Sequence, residues 1–190
     1  MSIHSRKENP VMQSKVRKLV IAALLCAIGI VIPLYSPIKI VLEPASFTLG
    51  SHIAIIIAMF ISPFVAGSVA VGTTLGFLLG GFPIVIVIRA ASHIVFALVG
   101  AFILQKRPYI LGSIPRAGIF SLIIAVIHAV CEVLVVIPFY FGSGMTEAYY
   151  AKGFVTSVVL LVGVGTVVHS MLDFILAFII WRALRSSKIA

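Results

Sequence analysis

Three pairs of ionisable residues, each pair separated by four positions, interrupt apolar stretches of this sequence: Arg89 and His93, His128 and Glu132, His169 and Asp173. In a helix, this spacing places both side chains of a pair on one face. An ionisable side chain within an apolar helix normally faces a protein interior or a wet cavity, because exposing it to lipid is costly. These pairs are therefore the candidate functional residues.

The residue types leave three interpretations open. In the first, Arg89 pairs with Glu132 and the histidines hydrogen-bond between helices as a structural network. In the second, Arg89 binds the carboxylate of a small polar ligand in bidentate geometry, and the histidines supply further hydrogen bonds. In the third, His93, His128 and His169 ligate a transition metal or conduct protons. A cationic arginine one turn away disfavours a divalent cation.

The composition indicates the environment of these residues. The chain has 190 residues, of which 62% are hydrophobic and 10% charged, with a mean hydropathy of +1.25. A soluble domain is about half apolar and about a quarter charged. The numbers exclude a water-soluble enzyme and a disordered chain. Cys26 and Cys131 both lie in apolar stretches, which argues against a disulfide scaffold.

A helix needs about 20 mostly apolar residues to cross the hydrocarbon core of a membrane. Prolines and Gly-Gly pairs divide the apolar sequence into six predicted spans. The fold class expected is an all-α integral membrane protein, with a basic tail (1–17), a six-span substrate-binding domain (18–185) and a short tail (186–190). The first span is predicted to be retained rather than cleaved as a signal peptide. The spans cover residues 19–38, 47–61, 64–79, 83–104, 117–137 and 154–181.

The net charge of +9 predicts the orientation of these spans. Six crossings place both termini on one side, together with eleven of the fourteen basic residues, and the positive-inside rule makes that side cytoplasmic. The expected location is therefore a plasma membrane with both termini inside. The eleven residues are Arg6, Lys7, Lys15, Arg17, Lys18, Lys106, Arg107, Arg116, Arg182, Arg185 and Lys188.

Depth follows from the helical rise of about 1.5 Å per residue. It places the three histidines near mid-membrane, with Arg89 and Glu132 one turn nearer the outside. Two long loops, 35–51 and 138–153, lie on that outer side. Aromatic residues in the second loop, Tyr140 among them, indicate either a headgroup belt or a lid over a ligand.

Two rows of small residues predict close helix contacts. Ala23 and Ala27 form an A-x-x-x-A pattern in the first span. Ser68, Gly72, Gly76 and Gly80 line the third span, where internal packing is the simpler interpretation. No G-x-x-x-x-G-K-[ST] phosphate loop or H-E-x-x-H metalloprotease motif is present. We therefore expect no enzyme activity and no cofactor bound by this chain.

With these features, the chain resembles the S components of energy-coupling factor (ECF) transporters. The features are the six spans, the alanine motif, the long first loop and the polar residues in spans four to six. The S components are the vitamin-binding membrane subunits of a bacterial uptake system. The resemblance implies partnership with a shared transmembrane subunit, on which Ala23 and Ala27 dock, and with two ATPases that use ATP.

Residues 29–52 and 165–174 look most like the niacin-type S component. That resemblance implies a vitamin ligand, with niacin the best match and pantothenate another suitable carboxylate. A metal or proton conductor remains the alternative. The substrate-binding residues then expected are Arg89, His93, His128, Glu132, His169 and Tyr140.

Overall fold

Helices make up most of the chain in the computed structural model, which describes residues 10–42, 45–143, 145 and 147–187. A 3₁₀ turn, Pro108–Gly112, precedes α5, and a π-helical segment, Val155–Val164, leads directly into α7. A short hairpin of two strands, β1 (Lys39–Leu42) and β2 (Ala45–Thr48), follows α1. The α-helices are α1 (Pro10–Tyr35), α2 (Ile53–Ile61), α3 (Pro63–Leu79), α4 (Ile84–Lys106), α5 (Ile114–Phe141), α6 (Glu147–Ala151) and α7 (Gly165–Ser186).

Among the described residues, four helices are long and apolar enough to cross a membrane: Gln13–Tyr35, Ile84–Lys106, Ile114–Phe141 and Val155–Ser186. They correspond to the first, fourth, fifth and sixth predicted spans. Helix α3, the third predicted span, is also apolar but shorter, at 17 residues. Helix α1 begins at Pro10, within the segment that we assigned to the basic tail.

The second predicted span, 47–61, is wrong in its extent. Phe47 and Thr48 belong to β2, which pairs with β1 in antiparallel register, and the helix begins only at Ile53. Gly50, with a φ of +85°, turns the chain between strand and helix, a conformation that glycine adopts without steric cost. A short apolar run cannot be assigned to strand or helix from its composition alone.

Helix α2 occupies the centre of the bundle. Its nine residues contact α1, α3, α4 and α7, and every residue from Ala54 to Phe60 is buried. A helix that is apolar on all sides is typical of such a buried position. The last residue before it, His52, is thereby placed in the interior.

The predicted packing row of the third span is confirmed at two glycines. A Cβ atom on Gly72 would lie 2.5 Å from Sγ of Cys26, and one on Gly76 would overlap Cδ1 and Cγ1 of Ile30. The Cys26 thiol in turn lies 3.6 Å from the carbonyl oxygen of Ser68, to which it donates a hydrogen bond. The small residues therefore allow α1 and α3 to approach closely.

Candidate functional site

Helices α4 and α5 bring two of the predicted ionisable pairs together at Glu132, whose side chain is almost completely buried, and α7 adds Thr166. Its Oε2 accepts hydrogen bonds from Nη2 of Arg89 at 2.8 Å and from the Thr166 hydroxyl at 2.7 Å. Its Oε1 lies 3.3 Å from Nε2 of His93 and 3.5 Å from Nε2 of His128. The pairing that the first interpretation predicted is present, so any ligand must share Arg89 with Glu132.

His52, which lies outside the three predicted pairs, is at the centre of the histidine cluster. Its ring centroid is 4.9 Å from that of His93, 4.8 Å from that of His128 and 5.0 Å from that of His169. Unlike the other histidines, His52 has no ionisable partner four positions away. In the sequence, only its position just before an apolar run could have indicated that His52 is buried.

Asp173 binds the turn that leads into α2. Its carboxylate accepts hydrogen bonds from the backbone N–H of Gly50 at 2.7 Å and of His52 at 2.9 Å. The same carboxylate lies 3.1 Å from Nδ1 of His52 and 3.4 Å from Nε2 of His169. Because this carboxylate satisfies two buried backbone donors, Asp173 joins α7 to the non-helical chain between β2 and α2.

A cavity of about 120 Å³ lies at the end of the bundle where α1 and α3 end and α4 begins. For scale, an engineered apolar cavity of about 150 Å³ accommodates benzene. Four predicted site residues line the cavity: Arg89, His93, Glu132 and His169. His128, fully buried behind them, is not among the lining residues.

Most of the remaining cavity lining was not predicted. Hydroxyl groups come from Thr48, Ser51, Thr73 and Thr166, and aromatic rings from Phe47, Phe77 and Phe82. Of these, Thr166 was detectable in principle, because it lies three positions before His169 and thus on the same helix face. The others lie on β2, the following turn, α3 and the α3–α4 loop, which only the tertiary structure brings to the cavity.

The structure places Tyr140 away from this cavity. Its ring packs against Phe141, Tyr150 and Phe154 near the end of α5, with centroid distances of 5.1 to 5.5 Å. Tyr149, on α6, is buried in the same apolar cluster, and burial raises the pKa of its phenol. Tyr140 is therefore not among the residues that line the cavity, whereas Phe47, Phe77 and Phe82 are.

Two buried nitrogen atoms at the site have no hydrogen-bond partner among the described residues. They are Nε of Arg89 and Nε2 of His128, the latter lying 3.5 Å from Glu132 but outside hydrogen-bond geometry. A buried polar atom without a partner is uncommon, because its desolvation is not compensated. The Arg89 guanidinium thus retains hydrogen-bonding capacity beside the cavity that it lines.

The third interpretation required His93, His128 and His169 to meet at one metal. Within the described part of the chain, two groups of three residues have ligand atoms within 4.8 Å of one another. The first is His52, His93 and His128, and the second is His52, His169 and Asp173. The predicted trio does not form such a group there. His52 lies between its members, so a metal site would have to use His52.

Ala23 and Ala27 lie on the outer surface of the bundle. Both are exposed, whereas Ala22, Leu25 and Gly29 on the opposite face of α1 are buried. The alanines therefore do not take part in packing within the described chain. They form a narrow strip of small residues on the outer face of α1.

Comparison with known proteins shows a curated relative. The chain is 40% identical to the niacin transporter NiaX of Lactococcus lactis, over 92% of this chain and 79% of the relative. No protein-family model matches the chain. No solved structure matches it either.

Proposed function

The chain belongs to the family of niacin-type S components of ECF transporters, and on that premise we propose that it binds niacin from outside the cell for ATP-driven uptake by partner subunits. Its role in transport and its place in a membrane follow from the relative and from the four apolar helices. The substrate, the binding residues and the ECF partnership are the proposal.

The observation that carries the proposal is a partly enclosed cavity of ring size that combines one guanidinium, imidazoles, hydroxyls and aromatic walls. Pockets for small ligands are mostly apolar, with a few convergent polar groups that orient the ligand. Nicotinate is a planar aromatic ring with a carboxylate and a ring nitrogen. Each of these three features has a complementary group in the cavity.

Arg89 is the proposed partner of the carboxylate, since a guanidinium binds a carboxylate through two parallel hydrogen bonds. His93 or His169 is the proposed partner of the ring nitrogen. Phe47, Phe77 and Phe82 provide the surfaces against which the pyridine ring packs. His128 and Glu132 act indirectly here, by holding His93 and Arg89 in place.

The charge of the cluster constrains what binds with the vitamin. The cluster contains one guanidinium, Arg89, which pairs with Glu132, and a second carboxylate, Asp173, so it has an excess of one negative charge when the imidazoles are neutral. Adding a nicotinate anion to a desolvated site would increase this excess at a large energetic cost. We therefore expect nicotinate to enter together with a proton. The imidazoles beside the two carboxylates are those of His52, His93, His128 and His169, and all of them except His128 also line the cavity.

Titration calorimetry on the detergent-purified protein tests substrate and proton together. We expect nicotinate to bind, its affinity to fall as the pH rises because a proton is lost from the complex, and neutral nicotinamide to show a smaller pH dependence. Mass spectrometry of co-purified small molecules is the second measurement. Selective binding of pantothenate, or no binding of either pyridine, would contradict the niacin assignment.

Energy coupling is proposed to come from partner subunits, because no phosphate loop occurs in the sequence. The exposed strip of Ala23 and Ala27 is the proposed contact with the shared ECF transmembrane subunit. Small residues allow two helices to approach closely, and that packing is a main source of association energy in lipid. This chain is proposed to bind no cofactor and to catalyse no reaction itself.

The alternative function is intramembrane metal binding or proton conduction. The observation that favours it is the position of His52, which belongs to both groups of possible ligands, with His93 and His128 and with His169 and Asp173. Thermal stability of the purified protein with and without Zn²⁺ or Ni²⁺ distinguishes it. A large stabilisation by metal that is lost on His52→Ala, without any by nicotinate, would favour the alternative.

A further inference from the structure

A second, larger groove lies at the opposite end of the bundle from the site, where α4 ends and α5 begins. Its volume is about 520 Å³, and the 3₁₀ turn Pro108–Gly112 borders it. It has a basic mouth and an apolar floor. The lining residues that matter here are Lys106, Arg107, Tyr109, Arg116, Ile119 and Ile123.

The mouth carries three cationic side chains, and no described carboxylate pairs with them. Lys106, Arg107 and Arg116 are exposed, and no ion pair joins any of them to another described residue. Two described carboxylates, Glu132 and Asp173, are buried in the site at the other end. The guanidinium of Arg116 lies 5.3 Å from the ring centroid of Tyr109, which holds it beside the groove.

The floor is apolar and belongs to a helix that is long and apolar enough to cross a membrane. Ile119 is 64% exposed and Ile123 is 50% exposed. The same outer face of α5 continues with exposed Val126 and Val130. One path along the surface thus leads from a cluster of cations to a strip of aliphatic side chains.

We propose that this groove binds an anionic phospholipid, with the phosphate between Lys106, Arg107 and Arg116 and an acyl chain along Ile119 and Ile123. Guanidinium groups bind phosphate oxygens bidentately. Basic pockets between membrane helices are known to hold anionic headgroups. A soluble acidic partner fits less well, because the floor runs away from the cations along a lipid-facing helix. The inference is independent of niacin binding.

Native mass spectrometry of protein released from micelles that contain equal amounts of phosphatidylglycerol and phosphatidylcholine tests the proposal. We expect the wild type to retain phosphatidylglycerol in preference to phosphatidylcholine. In the double variant Arg107→Gln/Arg116→Gln, we expect phosphatidylglycerol retention to fall by about fivefold for each charge removed. The control Arg182→Gln/Arg185→Gln removes two charges at the end of α7 and is expected to retain the lipid. Equal losses in the two variants would show a general charge effect and overturn the site.

Two further measurements separate headgroup from lipid and allow for a variant that does not fold. Glycerol 3-phosphate added to the wild type is expected to compete poorly, because it lacks the acyl chains that the floor binds. A photoactivatable phosphatidylglycerol is expected to crosslink the wild type within residues 103–123. Crosslinks confined to other helices, full competition by the soluble phosphate, or tight binding of an acidic protein instead of lipid would each contradict the proposal.

Discussion

Arg89 is the residue on which the proposed substrate specificity depends, yet it already forms a 2.8 Å ion pair with Glu132. Removing one member of a buried ion pair leaves an uncompensated charge, at a cost of about 3–5 kcal/mol. Replacement of Arg89 by alanine would therefore combine lost binding with lost stability. Variants that preserve charge or shape separate the two effects.

The Arg89→Lys variant keeps the positive charge beside Glu132 but loses the planar fork that suits a carboxylate. We expect nicotinate affinity to fall by about tenfold or more, since a hydrogen bond to a charged group contributes about 1.5–3 kcal/mol, while nicotinamide affinity changes little. Calorimetric titration with the two ligands measures the ratio.

The matched variant is Glu132→Gln, which removes the carboxylate that competes for the same guanidinium. We expect its nicotinate affinity to be unchanged or higher, because Arg89 then has a larger unneutralised charge. If both variants lowered the affinities for nicotinate and nicotinamide equally, the pair would be structural only. Arg89 would then lose its proposed role as ligand partner.

At the scale of the elements, the short helix α2 explains how polar residues reach the centre of an apolar bundle. At about 1.5 Å per residue, its nine residues rise only about 14 Å, less than half of a membrane span. The chain therefore reaches His52 through a hairpin and a turn before α2 begins. Non-helical backbone at membrane depth is tolerated where protein groups satisfy it, and the Asp173 carboxylate does this for Gly50 and His52.

The exposed strip on α1 predicts a separation of binding from uptake. With both Ala23 and Ala27 replaced by Phe, nicotinate binding is expected to persist, because neither residue packs inside the bundle. Energised uptake is expected to be abolished, because bulky rings prevent close helix approach. Radiolabelled niacin uptake in cells that co-express the ECF subunits measures the second property.

The control for this pair is Val130→Phe/Leu134→Phe, on the lipid-facing surface of α5, where the two residues are 52% and 61% exposed. This variant carries the same rings at the same spacing on another helix and is expected to retain uptake. Normal uptake by the alanine variant, or an equal defect in the control, would contradict docking through α1.

The close approach of α1 and α3 predicts a stability change at Gly76. A methyl group there meets the branched side chain of Ile30, which has few alternative rotamers in a helix. We expect Gly76→Ala to destabilise the protein by about 1–3 kcal/mol, as overpacking generally does, and to lower its melting temperature.

Two matched variants test the cause of that change. Gly118→Ala on α5, where an added methyl group meets nothing within 4 Å, is expected to leave the melting temperature unchanged or higher. Adding Ile30→Ala to Gly76→Ala is expected to recover part of the loss, because the clash is removed. Independent effects of the two substitutions would mean that their contact is not responsible.

At the scale of the whole molecule, the distribution of charge predicts the direction in which the bundle faces. The cavity lies at the end that the predicted topology makes external, and the basic groove lies at the opposite end. A reporter that is active only in the cytoplasm, fused to the C-terminus, is expected to be active. A reporter active only outside, at the same position, is expected to be silent, and the reverse pattern would overturn the proposed orientation.

Much of this architecture was predictable because the bilayer imposes simple rules on a sequence. Uninterrupted apolar stretches predicted the long helices to within a few residues at most ends, and the four-residue spacing selected Arg89, His93, Glu132 and His169, which line one cavity. Ala23 and Ala27 were singled out by spacing too. Those signals are local, and a single helix contains all the information that they need.

What the tertiary structure decided is everything that depends on contacts between distant segments. Backbone hydrogen bonds that composition does not encode produce the hairpin and the short helix α2. They also give His52 its central place and Asp173 its role in binding the turn before α2. The aromatic walls of the cavity are Phe47, Phe77 and Phe82 rather than Tyr140. These three residues lie on separate parts of the chain, and only the tertiary structure brings them together. The sequence alone determined that charged groups had to be buried in the bundle, since lipid excludes them, whereas packing decided which groups became their partners.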